Sequence, residues 1–167
     1  MIKENSDKLN ILYTPLHGAG YKLVPEVFRR AGLTHLYTVD AQMTPDGDFS
    51  TVKKPNPEHR EAFLLGIDIA NAVGSDLVIA TDPDSDRVGV MARDSHKEFR
   101  TVTGNQMGAL LIDYIITAYE QTGTMPPLPY AVKTIVTSEM ITKICAEHNI
   151  TCPRGQASLY KVKRFCY

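Results

Sequence analysis

The segment LVIATDPDSDRVGV, residues 77–90, constrains the fold more than any other part of the chain. Leu77 to Ala80 is bare of charge, as expected of a strand buried on both faces and therefore central in its sheet. It runs into three carboxylates at alternate positions, Asp82, Asp84 and Asp86, with Arg87 directly after them. Along an extended strand such positions share a face but stand roughly 6.6 Å apart, too far for one small cation to collect. On a helix the middle residue points away from the other two. Only a curled loop brings all three to one centre, and Pro83 and Ser85 favour such a turn. The end of a central strand is also where α/β sheets place their ligands. Three carboxylates exceed the charge of a divalent ion by one unit, which suits a hard cation with positions left for water or a phosphate oxygen. Arg87 can offset the excess or fork onto a phosphate. A solvated acidic turn is the plain alternative. An EF-hand is excluded, because Arg87 and Arg93 stand where its loop needs Gly and Glu.

Strand and helix signals alternate along the chain, the pattern of an α/β layered fold. Strands are predicted at Leu9–Tyr13, His35–Val39, Leu77–Ala80, Val88–Ala92, Phe99–Val102 and Ala131–Val136. A helix from Tyr21 presents Val24, Val27, Phe28 and Ala31 on one face and stops at Gly32. Asp40 to Pro57 is a long loop, a length that usually carries a function. In PNPE, Asn56 suits an N-cap and Pro57 the first position of a helix running on through Phe63, Gly66, Ile67, Ala70 and Val73. RDSHKE reads as a hairpin turn. Thr103 and Gln106 form a capping box for a helix whose apolar face is Met107, Leu110, Leu111, Tyr114, Ile115 and Ala118. Ser138 caps a last helix ending near Asn149. The expected architecture is a three-layer α/β/α sandwich with a mixed sheet over residues 1–101. An incomplete second α/β unit follows over 102–150, then a divergent tail over 151–167.

With 167 residues, 43% hydrophobic and 22% charged, the chain has the make-up of a globular domain. A net charge of −1 argues against a nucleic-acid binder and gives no reason to expect a membrane surface as partner. Cys145, Cys152 and Cys166 include no C-x-x-C pair, so a disulfide framework is not expected and a reducing, cytoplasmic setting fits.

The motifs YTPLHGAGY, TPDGDFSTVKKPNPE, DLVIATDPDSDRVGV, TGNQMGALLIDYI and VKTIVTSEM resemble the α-D-phosphohexomutases, the phosphoglucomutase and phosphomannomutase superfamily, in that family's order and spacing. The resemblance covers about residues 9 to 150 and is nearest the phosphoglucomutase/phosphopentomutase branch. It implies the second of four domains plus the opening of the third. It further implies Mg²⁺ on Asp82, Asp84 and Asp86, a phosphoserine supplied from elsewhere, and a sugar phosphate as substrate. Arg87 matches the family arginine near the sugar phosphate. Lys133 matches a lysine facing the cleft, a hydrogen-bond donor or proton-transfer partner. No T-A-S-H-N nucleophile loop occurs in the chain, so on its own it is expected to be inactive. The tail ASLYKVKRF departs from the family's glycine-containing turn, which suggests a truncated or frame-disrupted product. Two other readings stand beside this one. D-x-D after a strand is also similar to haloacid-dehalogenase-like phosphatases, with Asp82 as nucleophile, although Ser85 replaces their usual Thr or Val. Third in order comes a non-catalytic module that docks on a full-length mutase, and an unfinished second unit suggests association with another chain.

The remaining candidates have plainer readings. His17 in LHGAG is expected to stabilise a turn, with catalysis or phosphate contact as the alternative. Asp46 and Asp48 read as a turn, and Lys53 and Lys54 as a solvated rim. Gly104, Asn105 and Gln106 read as a helix start. Cys145 reads as core, and His35, His59, His96 and His148 show no ligand spacing.

Overall fold

A computed structural model describes residues 6–155. The chain divides into two compact units, Met1–Thr103 and Gly104–Tyr167.

The first unit is built on a five-stranded sheet in the order β2-β1-β3-β4-β5. Its strands are β1 Ile11–Thr14, β2 Leu36–Thr38, β3 Leu77–Thr81, β4 Val88–Arg93 and β5 Phe99–Val102. β1 pairs in parallel with β2 and with β3, while β3–β4 and β4–β5 are antiparallel. The sheet is therefore mixed, and the uncharged β3 lies at its centre. Helix α1 (Gly20–Arg30) links β1 to β2, and α2 (Leu64–Val73) lies on the way from β2 to β3. The two crossovers run in opposite directions along the sheet, so right-handed connections put their helices on opposite faces. Packing agrees. Phe28 of α1 meets the Tyr13 ring edge-on at 6.3 Å, whereas a Cβ on Gly66 of α2 would lie 3.4 Å from Val78 and 3.5 Å from Leu12. Leu12 and Tyr13 are neighbours on a strand and point to opposite faces.

The core lies mainly under α2. Leu12, Val78 and Met91 occupy one rung across β1, β3 and β4, and they pack with Val39, Phe63, Ala70 and Phe99. Two sequence expectations fail here. The helix predicted from Pro57 starts later: a single 3-10 turn at Arg60–Phe63 precedes α2 at Leu64. Asn56 does cap, but its side-chain oxygen accepts the Glu58 N–H within a local turn (3.0 Å) rather than a helix start. On α1, Val27 is 63% exposed, because the face set by Phe28 turns it outward.

The second unit comprises α3 (Gly104–Thr122), β6 (Lys133–Thr134), α4 (Glu139–Glu147) and β7 (Arg154–Gly155). β6 and β7 pair in parallel, and the predicted strand 131–136 shrinks to these two residues of β6. Ser138 caps α4 by accepting the Met140 N–H at 3.2 Å. The predicted apolar face of α3 is wrong. Its buried side runs through Ala109, Ile112 and Ile116, packed with Ile141, Cys145 and Ile150. Leu110, Leu111, Tyr114 and Ile115 are exposed. The helix is apolar over more than one face, so periodicity alone could not choose the inner one. Of the tail expectation, residues 156–167 lie outside the described residues.

Candidate metal centre

The aspartates occupy the six-residue loop that closes the β3–β4 hairpin, whose last pair is Thr81↔Val88. The loop curls through a turn in which Ser85 N–H donates to Asp82 O (3.0 Å), with Ser85 in the left-handed region at φ 62°. One carboxylate oxygen from each of Asp82, Asp84 and Asp86 lies within 4.8 Å of the other two. Opposite ligands of Mg²⁺, at ~2.1 Å each, span about 4.2 Å. Small side-chain rotations therefore suffice to gather the donors. They are hard, anionic oxygens, the type Mg²⁺ selects.

The three carboxylates differ in setting. Asp82 is fully buried, while Asp84 and Asp86 are exposed. Asp82 Oδ1 accepts the Arg87 backbone N–H (2.9 Å) and Oδ2 accepts Arg87 Nε–H (2.6 Å). Burial alone pushes the Asp82 pKa up, but these two bonds and the charge of Arg87 outweigh it and hold the carboxyl below its ordinary range. Asp86 moves the other way, raised chiefly by the charge of Asp84. Arg87 Nε pairs with Asp86 at 3.6 Å and lowers it, but by less than Asp84 and Asp82 raise it, and the Arg87 side chain is 47% exposed.

The turn Pro15–Gly20 lies against this loop. Ala19 N–H donates to Pro83 O at 2.8 Å. His17 is buried in the turn, with Nδ1 3.0 Å from Thr44 O and Nε2 2.8 Å from Thr51 Oγ1. A carbonyl can only accept, so Nδ1 carries the proton and Thr51 O–H donates to Nε2. The same logic orders the rest of the network. Gln42 Nε2 donates to Thr51 Oγ1 (2.9 Å), Thr14 O–H donates to Gln42 Oε1 (2.6 Å), and Leu16 N–H donates to Thr14 Oγ1 (3.1 Å). His17 thus ties the long loop after Asp40 to the turn and offers no ring nitrogen to a ligand. Thr14, Gln42 and Thr51 carried no sequence signal; their partners lie far apart in the chain. Asp46 accepts from Asp48 N–H and from both Ser50 donors, which holds its pKa down to about 2, as a turn residue would be. Lys53 and Lys54 are exposed.

Lys133 belongs to the second unit, where its side chain is 1% exposed. Nζ donates to Thr137 O and to Glu139 Oε1, each at 3.0 Å. Glu139 also accepts from Arg154 (2.7 Å), and the Lys133 hydrogen bond is the main cause of its lowered pKa. Removing one partner of an ion pair is costly when the other is left buried and unpaired, but Glu139 is 54% exposed and keeps Arg154. Lys133→Met is therefore expected to change stability by less than ~1 kcal/mol, read as the thermal unfolding midpoint of the chain. A larger loss would mean that Glu139 depends on the ammonium despite Arg154.

Comparisons with known proteins agree on one family. The family described as phosphoglucomutase/phosphomannomutase, alpha/beta/alpha domain II, matches residues 1–96. Phosphoglucomutase of Staphylococcus aureus (strain N315) is 40% identical over 141 residues, 84% of this chain and 25% of that protein. The chain thus spans about a quarter of the length of the curated relatives it matches. A phosphoglucomutase/phosphomannomutase family protein of Burkholderia thailandensis shares the fold with a TM-score of 0.70 at 17% identity, covering 90% of this chain and 30% of that one. Aspergillus fumigatus N-acetylphosphoglucosamine mutase, solved in complex with GlcNAc-6P and magnesium, has a TM-score of 0.58 at 15% identity, covering 91% and 31%. The chain belongs to the phosphoglucomutase/phosphomannomutase family, and its residues 1–96 are the alpha/beta/alpha domain II of that family.

Proposed function

We propose that this chain is the Mg²⁺-binding part of an enzyme that moves a phosphoryl group between two positions of a sugar phosphate. The observation that carries the reading is the convergence of three carboxylate oxygens at the tip of a hairpin on the central strand. The fungal mutase solved with GlcNAc-6P and magnesium supports the same choice of ligands. Asp82, Asp84 and Asp86 would hold the ion. Bound there, Mg²⁺ supplies charge neutralisation to a phosphoryl group in transit. Arg87 pins Asp82 through one nitrogen, and its half-exposed guanidinium carries further donors suited to a phosphate. Lys133 remains a candidate for contact with the sugar phosphate or for proton transfer. Its ammonium has one donor beyond those given to Thr137 and Glu139.

The same proposal takes the unit from Gly104 as the opening of the family's third domain and places the protein in the cytoplasm. Association with another chain is supported by the exposed apolar side chains of α3. A phosphatase with Asp82 as nucleophile has no support from the comparisons, which agree on the phosphoglucomutase/phosphomannomutase family.

The test is a Mg²⁺ titration followed by the carboxyl ¹³C resonances of the chain. The expected result is saturable shifts at Asp82, Asp84 and Asp86. Unmoved resonances at all three would sink the reading. In a coupled assay with bisphosphate activator, the 167 residues alone are expected not to interconvert glucose 1-phosphate and glucose 6-phosphate.

A further inference from the structure

We propose that the turn Pro15–Gly20 is the positioning element of the aspartate loop: it holds the loop tip in the curled form and thereby sets its affinity for a divalent cation. The cation clause rests on the metal-site reading above; the clamp itself rests on contacts between two segments far apart in sequence.

From within, the loop closes on Asp82 through Ser85 N–H (3.0 Å), Arg87 N–H (2.9 Å) and Arg87 Nε–H (2.6 Å), bonds that fix its base more than its tip at Pro83. Pro83 has no N–H, and the Asp82 N–H reaches Arg87 O at a long 3.3 Å. Asp84 and Asp86 are like charges drawn toward one point, which pushes the tip open. Support comes from outside. Ala19 N–H donates to Pro83 O at 2.8 Å. Gly18 lies so close that a Cβ there would overlap the Pro83 backbone. Gly20 leaves room for three hydroxyls: a Cβ on it would stand 2.5 Å from Tyr13 Oη and 2.9 Å from both Ser85 Oγ and Thr81 Oγ1. Tyr13 and Thr81 hydroxyls are bonded to each other at 2.8 Å. The two glycines therefore let the turn seat against both the tip and the base of the loop.

The turn is itself rigid enough to act as a support. Leu16 (φ 47°) and His17 (φ 65°) are consecutive non-glycine residues in the left-handed region, a conformation that persists only when its surroundings enforce it. His17 supplies that enforcement through Thr44 and Thr51, and its backbone N–H donates to Gln42 O at 3.1 Å. Three loops are stacked in series: the segment after Asp40 grips the turn, and the turn grips the aspartates.

Gly18→Ala inserts a methyl group at the contact, and Ala19→Pro removes the donor at a position whose φ of −66° proline tolerates. Two controls separate positioning from general weakening. Gly47→Ala adds a methyl group in open space, and Phe63→Leu weakens the core away from the loop. Amide exchange is read at Ser85 and Arg87, whose N–H groups close the loop on Asp82, and at β3 and β4 for comparison. Mg²⁺ affinity is read by titration.

Both test variants are expected to speed exchange at Ser85 and Arg87 about tenfold or more with β3 and β4 unchanged. Both should also weaken Mg²⁺ binding on the order of 10-fold, the usual effect of losing a support behind metal ligands. The controls should do neither. Unchanged loop exchange in both folded variants, or loss spread evenly over the sheet, overturns the proposal. If Gly18→Ala does not fold, Ala19→Pro decides alone. If the unaltered chain binds no Mg²⁺, the metal-site reading fails, and the clamp is judged on exchange.

Discussion

Asparagine in place of Asp86 is expected to weaken Mg²⁺ binding on the order of 100-fold, because one of three anionic donors is lost from a small site. The same change should make the ion-free chain more resistant to urea at neutral pH. The two effects have opposite signs for one reason. The Asp86 pKa is raised, first by the charge of Asp84, then by burial and by Asp82. A raised carboxyl favours the folded loop while protonated, below its ordinary pKa, and that benefit is lost as pH rises through the raised value. Ionised Asp86 therefore opposes folding at neutral pH, and asparagine removes the opposition. The gain over the unaltered chain should fade as pH falls below the carboxylate range. Asp82 behaves inversely. Its pKa is lowered despite burial, so its stabilisation is present above the ordinary value and lost as pH falls through the depressed one. Urea midpoints across pH, with a Mg²⁺ titration at neutral pH, check both claims. Equal Mg²⁺ affinity in the two proteins would remove Asp86 from the site.

Phe63→Ala is expected to cost about 3–5 kcal/mol of folding stability. The side chain is 0% exposed and packs with Leu12, Val39, Ala70, Val78 and Met91. Phe63 ends the 3-10 turn that precedes α2, so its ring both fills the core and fixes where the helix enters. Truncation leaves a void bordered by Leu12, Val78 and Met91 on paired strands, which cannot close far onto it. Domains of this size have about 5–15 kcal/mol in total, so the variant stands near the limit of folding. Urea unfolding followed by far-ultraviolet circular dichroism measures the loss. A cost under ~1 kcal/mol would show that the core collapses freely into the vacancy.

Local signals in the sequence carried much of this architecture. The uncharged run at Leu77 announced a central strand, and the alternation of acids after it announced a curled loop. RDSHKE marked the hairpin, where Asp94 accepts the N–H groups of His96 and Glu98. What stayed hidden depended on pairs distant in the chain. Gln42 reads as a loop residue, yet it is 1% exposed, because Thr14 and Thr51 satisfy both ends of its amide. Lys133 falls in a predicted strand, where nothing local foretells a buried ammonium, and only Thr137 and Glu139 explain its burial. The inner side of α3 was misassigned because Leu, Ile and Tyr surround the helix. The choice fell to small residues instead: Ala109 faces inward, and Gly108 leaves a Cβ-sized gap 3.3 Å from Ile141.

The bond from Ala19 to Pro83 has a consequence for the order of events during folding. The hairpin around the acids is local and can close in ~1–10 μs. Its support arrives only after β1 has found β3, a long-range parallel pairing of the slow kind. A nascent chain thus carries its clustered charges for a time in an unfinished cradle. Under the proposed clamp, cation affinity is acquired late, as a mark of completed assembly rather than of the hairpin itself.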